Sequence, residues 1–129
     1  MFDWRRPKNL GVMAGRLAPC RSTPNCVSSQ ADPADKEHYI APIAFQGRDA
    51  IAAVRTAVES MPRARVISAD SHYLYAEFRS ALLGYVDDVE FHYDGKVIHV
   101  RSASRLGRRD FGVNRARVEE LRKRIKPSP

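Results

Sequence analysis

The residues with the greatest chemical potential lie in alternating polar and apolar runs between residues 73 and 101. Side chains alternate between the two faces of a strand, so the polar positions would share one sheet face. Acids beside histidine could support general acid–base catalysis. The alternative, which the sequence favours, is a solvated face with cross-strand ion pairs, because an open face lacks the enclosure that catalysis usually needs. This polar sheet face is predicted to carry Tyr75, Glu77, Arg79, Asp88, Glu90, His92, His99 and Arg101.

A second candidate site is the basic loop between Ser102 and Asn114, which leads into a predicted helix. Backbone N–H groups at a helix start, together with the helix dipole, form a natural anion site. Gly107 and Gly112 have the spacing of phosphate-binding loop glycines, but Val113-Asn114 replace the Lys and Ser/Thr of a Walker motif. The predicted anion site consists of Arg105, Arg108, Arg109, Gly112, Asn114 and Arg115.

A structural role for the same arginines is an open alternative. Arg101 and Arg105 could pair with Asp87, Asp88 or Asp110 and fasten the loop to the sheet. The arginine–carboxylate fork is a common structural use of arginine.

Cys20 and Cys26 are the only cysteines, and their C-x5-C spacing leaves three readings open. They could form a disulfide across the Thr23-Pro24-Asn25 turn in an oxidising compartment. They could bind a metal, although no C-x2-C or H-x3-H pattern supplies the two further ligands. They could also be free, partly buried thiols. In every case the turn predicts Cα atoms within about 7 Å of one another.

Asp94-Gly95 predicts a two-residue hairpin turn between two alternating strands. This turn would place Tyr93 opposite Lys96 and bury the apolar face of the hairpin. The predicted partners are His92–Val97, Phe91–Ile98, Glu90–His99, Val89–Val100 and Asp88–Arg101.

The remaining periodicities predict an α+β fold, an antiparallel sheet of about four strands with two amphipathic helices on one face. One helix is predicted over 48–61 and a second begins at Asn114 as N-cap. Short extended segments are predicted over 38–43, 66–69 and 72–79. Residues 1–37 are predicted to form an irregular arm that packs on the domain 38–126, with Trp4, Leu10, Val12 and Leu17 as packing residues.

At 129 residues and a net charge of +7, the chain has the size of one domain with basic ends. Residues 101–126 hold ten Lys/Arg against three acids, and residues 1–30 hold five against one. This balance favours an anionic ligand or a protein partner, and it also aids solubility. The basic face of the last helix, with Arg115, Arg122, Lys123 and Lys126, raises nucleic-acid binding as an alternative.

Nothing in the sequence predicts a cofactor, a metal site or a membrane span. No apolar run approaches the roughly 18–20 residues that a membrane helix needs. The N-terminus has no continuous apolar stretch typical of a secretory signal, which predicts a cytoplasmic location.

Four runs carry a family resemblance: CRSTPNCVSSQ (20–30), HYIAPI (38–43), VDDVEF (86–91) and RSASRLGRRDFGVNRARVEELR (101–122). Over roughly Leu10 to Lys126 the chain resembles the domain-of-unknown-function family number 1499 of bacteria and plant plastids. Members often have Ser before the aspartate that is Asp110 here, where this chain has Arg109. Some members carry export or membrane segments, so the resemblance implies an envelope location as an alternative.

The family has no established activity, so the resemblance implies a fold unit and leaves the function open. The leading hypothesis is a non-catalytic binding or interaction module with an anionic group at the basic loop. The second is a small enzyme that uses Asp88, Glu90 and a histidine of the polar sheet face. The third is nucleic-acid binding through the last helix.

Overall fold

The computed structural model describes residues 5–126, so the first four arm residues, which include Trp4, lie outside the described chain. The described residues form six strands and two helices. In chain order these are β1 Cys26–Ser28, β2 Ile43–Ala44, α1 Ala50–Glu59, β3 Ala64–Ala69, β4 Tyr73–Arg79, β5 Val86–Tyr93, β6 Val97–Ser104 and α2 Val113–Arg124.

All the strands belong to one antiparallel sheet with the order β1-β6-β5-β4-β3, and β2 pairs with the beginning of β6. The predicted α+β class with an antiparallel sheet and two helices is confirmed. The predicted number of about four strands is wrong: β1 was missed, and of the extended segment predicted over 38–43 only Ile43 belongs to a strand, β2. These strands have three and two residues, too few for an alternating pattern to be visible in the sequence.

The β5–β6 hairpin has a different register from the predicted one. Tyr93 pairs with Ile98 rather than Lys96, a shift of two residues along β6. The cause is Asp94, whose Oδ1 accepts the backbone N–H groups of Lys96 at 2.8 Å and Val97 at 2.9 Å. Asp94 N also donates to Val97 O, so the chain turns at Gly95-Lys96.

A shift of two residues leaves every side chain on its predicted face, because the side-chain period of a strand is two. The predicted charge pairs across the hairpin are nevertheless wrong. Arg101 lies opposite Glu90 rather than Asp88, and His99 lies opposite His92 rather than Glu90.

The core lies between one sheet face and both helices. Phe91, Leu74 and Ile98 are fully buried on this face. The helices contribute Ile51, Val54, Val58, Val118 and Leu121, and Ile125 at the end of α2 packs in the same core. Helix α1 begins at Ala50 rather than at 48 because Asp49 has φ 56°, outside the right-handed helical region, and it ends at Glu59 rather than at 61. Asn114 is not the N-cap of α2: Gly112 occupies that position with φ 83°, and Asn114 is buried in the first turn.

The arm covers the opposite, polar sheet face. Arg6 Nε donates to Glu77 at 2.8 Å, and the backbone N–H of Gly11 donates to Glu90 at 2.7 Å. Arg101 reaches back to Pro19 O. The prediction of a solvated face is therefore wrong, since Glu90 is 0% and Asp88 2% exposed. The arm gives this face the enclosure that the sequence did not reveal.

Candidate functional site between the arm and the sheet

Two carboxylates on the covered face share one arginine and one phenol. Arg105 from the end of β6 donates to Asp88 Oδ1 at 2.7 Å, to Asp88 Oδ2 at 3.2 Å and to Glu77 at 2.9 Å. The Tyr75 hydroxyl lies 2.5 Å from Asp88 and 2.9 Å from Glu77. Nearby, Tyr73 donates to Glu90 at 2.5 Å. A forked guanidinium suits such paired acceptors.

The protonation of this cluster follows from its charges. Burial would raise the pKa of Glu77, but hydrogen bonds from Arg6, Arg105 and Tyr75 outweigh it and lower that pKa to about 2. Burial and the neighbouring carboxylates raise the pKa of Tyr75, and burial with Glu90 raises the pKa of Tyr73. At neutral pH Glu77 is therefore ionised and both phenols stay protonated. None of these three groups has the pKa near 7 that suits a general acid or base.

Arg101 is the least satisfied charged group of the face. Its side chain is 8% exposed, its nearest carboxylate oxygen is Glu90 Oε1 at 3.9 Å, and its Nη2 lies 3.3 Å from Pro19 O. Burial lowers the pKa of Arg101, against the attraction of Glu90 and Asp88. Within the described residues, Arg101 Nε and Glu90 Oε1 are buried without a hydrogen-bond partner. Buried donors are normally paired, so each such atom calls for an explanation.

Arg101 lines a small polar cavity between the arm and the sheet. The cavity has a volume of about 80 Å³. A wider cavity of about 300 Å³ shares Pro7, Arg21 and Arg105 with it. We call the two together the arm–sheet cleft. Its polar lining consists of Arg5, Arg6, Lys8, Asn9, Arg21, Asn25, Asp88, Arg101, Ser104 and Arg105.

A disulfide fixes the arm beside this cleft. Cys20 and Cys26 are bonded, with Cα atoms 5.7 Å apart, within the predicted reach. Cys26 belongs to β1 and lines the small cavity, so the bond ties Pro19 and Arg21 to the sheet edge. The bond uses both sulfur atoms, so neither cysteine is a free thiol or a free metal ligand in this structure.

The predicted anion site at the basic loop is not assembled as expected. Arg105 donates to Glu77 and Asp88 on the polar sheet face, and Arg115 donates to the carbonyls of Lys36 and Glu37. The remaining members are placed as follows: Arg108 and Arg109 are exposed, and Gly112 and Asn114 open α2.

The start of α2 already has an anion, the carboxylate of Asp110. It accepts the backbone N–H groups of Gly112 at 2.9 Å and Asn114 at 3.1 Å, and the Asn114 side chain at 2.8 Å. Burial would raise the pKa of Asp110, but the bond from the Asn114 side chain, with the two backbone bonds, outweighs it and lowers that pKa. The side chain of Asn114 then joins the helix to the sheet through Ser102 Oγ at 2.6 Å and Asn25 O at 3.2 Å. The helix start therefore acts in packing the domain.

The two histidines of the predicted polar face lie near its hairpin end. His92 contacts the carbonyl of His72. His99 lies between Ser29 Oγ at 3.0 Å and Asp94 Oδ2 at 3.2 Å, an order that resembles a catalytic triad. Ser29 is only 7% exposed, and its Oγ accepts the backbone N–H of Val100. The hydroxyl thus holds the sheet together and is not presented to a substrate.

The third predicted surface, the basic face of α2, is partly used inside the domain. Arg122 donates to the carbonyls of Ala41 and Pro42, and Arg115 to those of Lys36 and Glu37. Lys123 and Lys126 are exposed. These contacts leave fewer cations of this face for a nucleic acid than the sequence suggested.

Sequence reasoning missed the arm side of the cleft. Arg5, Arg6, Lys8 and Arg21 lie in a segment without periodicity, so nothing in the pattern placed them over β4 and β5. The available signal was charge, since residues 1–30 contain five Lys/Arg and one acid. An excess of cations in a segment next to acidic strands favours their pairing.

Together, the fold and the cleft define a small α+β domain whose polar sheet face is closed by its own disulfide-anchored arm. The chain belongs to the family described as protein of unknown function (DUF1499), whose model matches residues 16–125. Neither the curated proteins nor the solved structures contain a match to it. In the described part of the chain, no helix has the length and apolar character needed to cross a membrane.

Three of the four runs that resemble the family meet at the cleft. The run 20–30 supplies Arg21 and Asn25, the run 86–91 supplies Asp88, and the run 101–122 supplies Arg101 and Arg105. The arm residues before 16 lie outside the family match. The cleft therefore combines residues within the family match with arm residues that precede it.

Proposed function

We propose that this chain is a non-catalytic binding module that holds a small anionic group in the arm–sheet cleft. The observation that carries the proposal is Arg101, a charged side chain more than nine-tenths buried, which lines the small cavity and whose paired carboxylate, Glu90, lies as far away as 3.9 Å. A buried guanidinium N–H is costly unless an acceptor completes it. A ligand oxygen in the cavity would be such an acceptor.

The charge of the cleft supports an anion. Six cations surround it, against the three carboxylates of Glu77, Asp88 and Glu90. The cations are Arg5, Arg6, Lys8, Arg21, Arg101 and Arg105. With Arg5 left aside, five cations face three carboxylates, so the balance of charge is positive. Low-dielectric walls strengthen such a field inside a cleft.

The size of the cleft supports a small ligand. A volume of about 80 Å³ holds a few water molecules, or one phosphate or carboxylate group. The adjoining cavity of about 300 Å³ would leave room for the rest of a larger molecule. The proposed site differs from the predicted loop site, with which it shares Arg105, because Asp110 already occupies the start of α2.

The test is a titration with inorganic phosphate, and separately with acetate, followed by backbone amide shifts. We expect shifts at Asn9, Arg21, Asn25 and Gly107, and their loss in the Lys8→Gln/Arg21→Gln variant. Both side chains are exposed at the cleft mouth, so the variant should fold. Lys123→Gln, exposed on α2, is the matched control. The absence of these shifts in the wild type, or an equal loss of them in Lys123→Gln, would overturn the proposal.

A companion variant tests the carrying observation. Arg101→Lys retains a positive charge but replaces the guanidinium fork with a single ammonium group, and we expect it to weaken phosphate binding by about tenfold, the loss of one charge-assisted hydrogen bond. An unchanged affinity in Arg101→Lys would mean that phosphate binds at the mouth of the cleft and not at Arg101. No specific observation favours the enzyme or nucleic-acid alternatives.

We further infer that the chain works in an oxidising compartment, because structural disulfides persist there and are rare in the cytosol. This inference replaces the cytoplasmic location expected from the N-terminal sequence. Mass spectrometry of the protein, alkylated at cell lysis and then denatured, should find neither cysteine alkylated. Two alkylated cysteines would return the cytoplasmic alternative.

A further inference from the structure

One end of the sheet concentrates exposed apolar side chains. Of the seven large hydrophobic side chains that are exposed in the described part of the chain, five lie there. They are Leu82, Leu83 and Tyr85 in the β4–β5 turn, with Phe111 and Val113 at the β6–α2 connection. Val86 joins the two segments, since it pairs with Arg79 and accepts the backbone N–H of Arg105.

Two of these side chains stand at the tips of their segments. Leu82 is 89% and Phe111 92% exposed. Phe111 also has φ 54°, a conformation that bulky residues rarely adopt. An aromatic ring held in solvent by a strained backbone gains nothing inside the monomer, and such strain is concentrated at functional positions.

The charges around these tips are positive. Arg79, Arg108 and Arg109 are exposed in the same two segments. Asp110 accepts backbone N–H groups of α2, and Asp87 is buried against Arg117 at 2.7 Å. The surface offered to a partner is therefore apolar at its tips and cationic around them. We call it the loop end: Arg79, Leu82, Leu83, Arg108, Arg109, Phe111 and Val113.

We propose that the loop end docks the domain onto an anionic lipid surface. Leu82 and Phe111 enter the boundary between headgroups and acyl chains, and Arg108 and Arg109 meet the headgroups. Protruding apolar residues beside cations bind such interfaces through buried area and charge attraction together. Neither cavity of the arm–sheet cleft is lined by Leu82 or Phe111. The proposal is independent of the anion site in that cleft.

Vesicle co-sedimentation tests the proposal with the full chain. Vesicles of equal parts phosphatidylcholine and phosphatidylglycerol should bind the protein, and phosphatidylcholine alone should bind it far less. Leu82→Ser/Phe111→Asn should lower the partition coefficient about tenfold or more, because two apolar anchors are lost. Asn tolerates the positive φ at 111, so folding should be preserved. Met13→Ser, 83% exposed on the arm, is the matched control and should bind like the wild type.

A charge variant completes the test. Arg108→Gln/Arg109→Gln should weaken binding to the mixed vesicles, whereas Arg48→Gln, exposed before α1, should not. The absence of wild-type binding, or an equal loss in Met13→Ser, would overturn the proposal. So would light scattering that shows a dimer in the wild type and a monomer in Leu82→Ser/Phe111→Asn, because the loop end would then be a contact between two copies.

Discussion

At the scale of single residues, the buried arginines differ in how closely they are paired with carboxylates. Arg105 joins two carboxylates and Arg6 joins one of them, whereas Arg101 meets Glu90 only at 3.9 Å. Close, hydrogen-bonded pairs offset the cost of burial, and a loose pair does not. Arg105 therefore has a structural role, whereas Arg101 could accept a ligand as a further partner.

Arg105→Gln should lower the free energy of unfolding by roughly 3–5 kcal/mol, since it leaves Glu77 and Asp88 buried without this partner. Chemical denaturation at neutral pH measures the loss. Arg108→Gln, three residues away and exposed, should change stability by no more than about 0.5 kcal/mol. A loss under about 1 kcal/mol in Arg105→Gln would mean that the carboxylates do not depend on this guanidinium.

His38 forms a pH-dependent contact between two segments of the arm. Its Nε2 lies 3.0 Å from Thr23 O and its Nδ1 2.8 Å from Asp35 Oδ2. Both partners are acceptors, so both ring nitrogens must carry a hydrogen. Burial lowers the pKa of His38, but these two hydrogen bonds outweigh it and raise the pKa above 6.5.

A raised pKa means that the stabilisation by His38 is complete below about pH 6.5 and is lost as the pH rises through the folded-state value. The stability difference between wild type and His38→Gln should therefore be larger at pH 6 than at pH 9. Denaturation curves across this range measure it, with the exposed His72→Gln as control. A difference that grows with pH would show that His38 is neutral in the fold.

At the scale of elements, periodicity predicted those that are long enough to show it. The core faces of β4, β5 and β6 followed from alternation, and a two-residue error in register did not change them. The register itself depends on the hydrogen bonds that the Asp94 side chain accepts from the backbone of Lys96 and Val97, which a turn dipeptide does not reveal. Strands β1 and β2 are too short for any pattern, and their pairing with β6 depends on tertiary contact.

The Cys20–Cys26 bond attaches the aperiodic arm to β1. Cys20→Ser/Cys26→Ser should lower the free energy of unfolding by about 2 kcal/mol, the chain-entropy value for a short closed loop. Denaturation in oxidising buffer measures the loss. A reducing agent should bring the wild type to the stability of the variant and leave the variant unchanged. Equal stabilities in oxidising buffer would show that the arm is held by its other contacts alone.

At the scale of the whole molecule, the domain has two different faces on one sheet. One face buries an apolar core under two helices, and the other buries charges under an arm. The sequence predicted the residues of both faces. It did not predict the cover of the second, because the arm contacts this face through isolated residues such as Arg6, Gly11 and Pro19, whose spacing in the sequence has no recognisable period.

Removal of residues 1–15 tests this cover. The truncated chain keeps the disulfide and the family-matched part but loses the bond from Gly11 to Glu90 and the ion pair of Arg6 with Glu77. The Gly11 bond to a charged acceptor is worth about 1.5–3 kcal/mol, so the free energy of unfolding should fall by at least that order at pH 7. Met13→Ser in the full chain is the control, because Met13 is exposed.

The stability lost on truncation should depend on pH, and the lowered pKa of Glu77 gives the direction of that dependence. The pKa of Glu77 is lowered to about 2 in the fold, so its stabilisation is present above about pH 4.5 and is lost as the pH falls toward 2. Without Arg6 the pKa of Glu77 should rise. Ionised Glu77 then stabilises the truncated chain less, so the truncated chain loses less stability in acid than the full chain does. The gap in stability between full and truncated chains should therefore be wide at pH 7 and narrow at pH 3. A gap of constant size would mean that the arm contributes by packing alone and that Arg6 is not needed to keep Glu77 charged.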